Sequence, residues 1–77
     1  VARGDLEGAL EGFEECHRRV ERLAVQDPTS AHVQQDRSFV LEKLGDVHLE
    51  LENEAKALAH FEVSMKIRES LAQENRT

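Results

Sequence analysis

Seventy-seven residues make one small domain at most, at the size where a single core is barely self-sufficient. Apolar residues are 39% of the chain, aromatic residues 4% and charged residues 34%, a balance that suits amphipathic helices better than a thick sheet core. Ten Lys and Arg against sixteen Asp and Glu leave a net charge of −6, which opposes broad contact with nucleic-acid phosphates or an anionic lipid surface.

The lone cysteine, Cys16, cannot form an internal disulfide. No apolar run approaches the roughly 18 residues of a membrane helix, and no charged-then-apolar leader opens the chain. A cytoplasmic setting is therefore expected. The chain starts at Val1, which reads as an excerpt or a processed product.

The first predicted helix covers 5–25. Leu6, Leu10, Phe13, Val20 and Leu23, joined by Ala9, Cys16 and Ala24, recur at spacings of three and four and form one stripe. Asp5 is the expected cap. Asp27-Pro28-Thr29-Ser30 ends the helix, because proline has no amide hydrogen to donate and disfavours helical geometry in the residue before it.

A second helix is predicted over 31–51, capped by Thr29 or Ser30, with Val33, Val40, Leu44, Val47 and Leu51 inside. Gly45 lies within it, where glycine costs about 1 kcal/mol against alanine, so the spacing predicts close approach of a neighbouring helix rather than a break. The third helix, over 54–74 with Asn53 as the equivalent of Asp5, carries Ala57, Leu58, Phe61, Met65, Leu71 and Ala72, widened by Val63 and Ile67. No segment alternates with period two, so no strand is predicted. Acid-first pairs four apart, Glu14–Arg18, Glu15–Arg19, Glu52–Lys56 and Glu62–Lys66, are expected to solvate the outer faces.

An internal repeat underlies this arrangement. Residues 4–24 laid over 52–72, an offset of 48, give seven identities in 21 pairs: Ala9/Ala57, Leu10/Leu58, Phe13/Phe61, Glu14/Glu62, Glu21/Glu69, Leu23/Leu71 and Ala24/Ala72. Leu41-x2-Leu44-Gly45-x2-His48 followed by Ala57-x3-Phe61 resembles the tetratricopeptide repeat signature, and Ala9 with Phe13 repeats its second half. The period of 48 exceeds the family's usual length of about 34, which corresponds to roughly two extra turns in each helix. Leu41 and His48 replace the usual aromatics, and Arg76 stands where Pro28 would recur.

The resemblance implies an all-α antiparallel array of hairpins from an α-solenoid. Residues 5–27 would be the second helix of one repeat and 30–75 one complete long repeat. It further implies a protein-binding scaffold with helix 31–51 lining the binding face. On the non-core side of that helix Gln35, Phe39, Glu42, Asp46, Leu49 and Glu50 share a stripe, which Ser38 extends. Three carboxylates at spacing four repel one another unless a cation lies against them, so a basic or amphipathic peptide is the expected partner. The same run would also serve as a plain solvating face.

Chemistry is poorly represented. His17, His32, His48 and His60 lack zinc-motif spacing, Cys16 is expected to be a small buried apolar group, and no Gly-rich phosphate loop is present. No catalytic residue, metal or cofactor is expected. Two other readings stay open: a module that self-associates, or packs on further repeats, through exposed helix edges, and a bundle with a buried metal or redox site.

Overall fold

A computed structural model describes residues 3–75, with side chains for 4–74; Arg76 lies outside the described residues. The fold is all-helical: α1 is Arg3–Gln26, α2 is Ala31–Glu50 and α3 is Glu54–Asn75. Linkers of four residues (27–30) and three (51–53) turn successive helices back on one another. Helix α2 packs against both α1 and α3, while the backbones of α1 and α3 stay apart. The resulting slab measures 45 × 21 × 17 Å.

The corners follow from local chemistry. At the first, Ser30 caps α2: its backbone is extended and its hydroxyl oxygen accepts from the Val33 amide at 3.2 Å, satisfying one of the amides a helix start leaves open. Asp5 is not a cap, because α1 has already begun by Arg3 and Asp5 lies in its first turn, where its charge faces the positive end of the helix dipole.

The second corner stops α2 without glycine or proline. The Glu52 amide donates to the Leu49 carbonyl at 3.0 Å and the Asn53 amide to the His48 carbonyl at 2.8 Å. This paired closure is the Schellman arrangement, and it places Glu52 at φ 63°. A left-handed non-glycine residue costs about 1–2 kcal/mol. Glu52→Gly should therefore raise the urea midpoint by the equivalent of about 1 kcal/mol; an unchanged or lower midpoint would show that the turn is not strained there.

The core lies along α2. Leu41, Leu44, Gly45, Val47, His48 and Ser38 are buried, facing Ala57, Ser64 and Ile67 of α3 and Val20 of α1. Gly45 explains the close crossing of α2 and α3, since a Cβ there would lie 2.5–2.8 Å from three ring carbons of Phe61. Ser64 seals the same crossing by donating its hydroxyl to the Ser38 carbonyl at 2.9 Å.

Two helices are rotated from the predicted orientation. On α1, Cys16 and Leu23 are exposed, and His17 joins Phe13, Val20 and Ala24 on the covered side. The predicted stripe spanned two arcs of α1, and only the arc facing α2 has a neighbour. On α3, Leu58 and Met65 are 60% and 59% exposed and Ala72 is also exposed, while His60 and Ser64 face inward beside Ala57, Phe61, Ile67 and Leu71. Ser38, expected on the outward stripe of α2, is buried because Ser64 of α3 closes over it.

Of the four predicted acid-first pairs, Glu15–Arg19 forms, at 3.7 Å and well exposed. Glu52–Lys56 does not belong to a single helix, because Glu52 sits in the left-handed corner before α3.

Candidate functional site

The outward stripe of α2 keeps the geometry its spacing requires. At 100° per residue, Gln35, Phe39, Glu42, Asp46, Leu49 and Glu50 fall on one arc opposite the buried Leu41, Leu44 and His48. Phe39 and Leu49 are 55% and 48% exposed. Large apolar side chains set among carboxylates and open to water form a recognisable amphipathic ridge.

The carboxylates are not equivalent. Arg68 of α3 reaches across to pair with Glu42, so part of the cation demand of the stripe is met within the chain. Among the described residues, Asp46 and Glu50 have no such ion pair. Lys43 sits 5.4 Å from the Phe39 ring centroid, within reach of a cation–π contact. The other edge of Phe39 closes an open apolar groove with Cys16, Val20 and Leu23 of α1 and Val40 of α2.

The signature residues divide by role. Leu41, Leu44, Gly45, His48 and Ala57 are buried, whereas Phe61, Ala9 and Phe13 are partly covered. All are core or near-core, and none lies on the outward stripe.

Sequence spacing gave no sign of a second constellation, because its members come from three helices. The His48 and His60 rings stack with centroids 5.4 Å apart and an interplanar angle of 23°, and His17 meets His60 edge-on at 6.2 Å. His48 is only 4% exposed and its Nδ1 has no hydrogen-bond partner. At the rim, the His17 Nε2 lies 3.1 Å from Glu21, whose carboxylate also accepts from Arg37 Nε at 2.5 Å.

Burial, more than any neighbour, lowers the pKa of His60; His48, His17 and Lys56 act in the same direction and Glu14 opposes them. His32 is elsewhere, near Asp36 at 3.6 Å on the surface. Among the described residues no group of His, Cys, Asp and Glu is arranged to hold a metal ion, and stacked imidazoles do not aim their in-plane lone pairs at a common point. Cys16 and the histidine cluster are not brought together, since Cys16 faces the Phe39 groove.

Among the described residues no helix is long and apolar enough to cross a membrane. No protein-family model matches the chain, and no curated protein or solved structure matches it either.

Proposed function

We propose that the chain is a non-catalytic protein-recognition fragment of tetratricopeptide-like build, which binds a basic or amphipathic peptide on the outward face of α2. The observation that carries this reading is the ridge itself. Phe39 and Leu49 expose apolar surface beside Asp46 and Glu50, and Glu42 already holds one guanidinium, that of Arg68. A peptide with a cation next to an apolar side chain would place its charge among the carboxylates and its apolar atoms on Phe39 or Leu49, gaining both orientation and contact area. The internal repeat of 48 residues and the Leu44-Gly45 and Ala57-x3-Phe61 pattern support the solenoid origin.

The test is peptide binding to Glu42→Lys plus Asp46→Lys. Affinity for a basic amphipathic peptide should fall at least about tenfold, the equivalent of roughly 1.4 kcal/mol, and an acidic control peptide should bind no more weakly than before. Unchanged affinity for the basic peptide would sink the reading.

A second reading rests on different surface. Leu58 and Met65 on α3, and Leu23 beside the Phe39 groove, expose apolar edges on both sides of the slab, which supports a module that self-associates or packs on further repeats. Sedimentation over a concentration series separates the two, since a chain that stays monomeric at high concentration excludes self-association.

A further inference from the structure

The peptide-binding face leaves the buried histidine cluster without a role. His17 of α1, His48 of α2 and His60 of α3 form one continuous set of rings, with centroid separations of 6.2 Å and 5.4 Å. Here side chains of α1 and α3 meet, His17 against His60, although the backbones of the two helices stay apart. We propose that this stack is an acid-sensitive latch: with the rings neutral it holds α1 against the α2–α3 hairpin, and proton uptake at His60 releases α1.

The charges facing the stack determine how it responds. From α1 come Glu14, Glu21 and His17 itself; from α2, His48 and, through Glu21, Arg37; from α3, Lys56 beside His60. At the rim, Glu21 lies 3.1 Å from the His17 Nε2. A proton entering at His60 is placed against the stacked His48 ring, which is buried with no hydrogen-bond partner for its Nδ1, so the added charge finds little there to solvate it.

The sign of the effect follows from linkage. His60 is held below its ordinary pKa in the folded chain by burial and by its neighbours, so the unfolded or opened chain binds the proton more readily. The stability contributed is complete above about pH 6.5 and is lost as pH falls from there toward the folded-state value. Release is directed to α1 because Val20 is its one buried side chain among the described residues. Helix α3, by contrast, is held by the Gly45–Phe61 contact, the Ser64–Ser38 hydrogen bond and the Arg68–Glu42 pair.

Amide hydrogen exchange at pH 7.5 and pH 5.5, corrected for intrinsic rates, tests the latch in the intact chain, in His60→Gln and in the rim variant His17→Gln. The unaltered chain should lose protection in α1 by about tenfold at the lower pH while α3 changes much less, and either variant that folds should show at most half that loss on a logarithmic scale. The proposal is overturned if protection of α1 is equal at the two pH values, if all three helices lose protection together, or if the variants lose as much as the unaltered chain.

Discussion

Gly45→Leu should prevent α3 from seating on α2. A Cβ at this position would approach the Phe61 ring to 2.5–2.8 Å, closer than carbon atoms tolerate, and the remaining leucine atoms would have to occupy the ring's volume. Overpacking of a tight contact costs typically 1–3 kcal/mol and more when the side chain cannot relax, so leucine should cost more than about 3 kcal/mol. Against a total stability of order 5 kcal/mol for a domain of this size, that leaves at most about 2 kcal/mol, and thermal unfolding followed by far-UV circular dichroism should shift down by at least about 12 °C. Gly45→Ala is the finer probe. Helix propensity favours alanine by about 1 kcal/mol and the clash opposes it, so in the native background the substitution should be destabilising. In a Phe61→Ala background the clash is gone and the same substitution should become stabilising, a coupling within the usual 0.5–3 kcal/mol for touching residues. Equal effects in the two backgrounds would show that Gly45 and Phe61 do not meet.

Leu44→Ala should produce the largest loss of any truncation in the chain. Leu44 is 1% exposed and the largest fully buried side chain, and truncation of such a leucine costs about 2–5 kcal/mol from lost transfer energy plus the cavity left behind. Thermal unfolding should shift down by at least about 8 °C. Leu58→Ala is the matched control: at 60% exposure it should move stability by no more than about 0.5 kcal/mol. If the two substitutions cost the same, the orientation of α3 described above is wrong.

That contrast also shows how far the sequence was legible. Helix boundaries came within two residues because their signals are local: Pro28 and Ser30 at one corner, Asn53 at the other, and spacings of three and four between them. The α2–α3 crossing was legible for a similar reason, since a mid-helix glycine such as Gly45 has few uses other than close approach. Rotation of the outer helices was not. Leu58, Met65 and Ala72 form as good an apolar stripe as Ala57, Ile67 and Leu71, and apolarity alone does not say which arc of a helix with a neighbour on one side will be covered.

Polar groups were hidden for a further reason. Ser64 is buried because it finds the Ser38 carbonyl, and His17, His48 and His60 form a cluster only because three helices bring them together. Neither partner is visible from spacing along one helix. The outward stripe of α2 was legible except at Ser38, which is buried, but the reach of Arg68 across to Glu42 was not, because it depends on the side of α2 that α3 occupies.

The proposed binding ridge and the acid-sensitive latch both require α2 to run between the other two helices, with its Gly45 against Phe61. Nuclear Overhauser contacts in the folded chain measure this directly. The Gly45 Hα protons should show strong cross-peaks to the Phe61 ring protons, accompanied by contacts from Val20 to α2. A Phe61 ring without contacts to Gly45, in a chain that is otherwise helical, would contradict the arrangement.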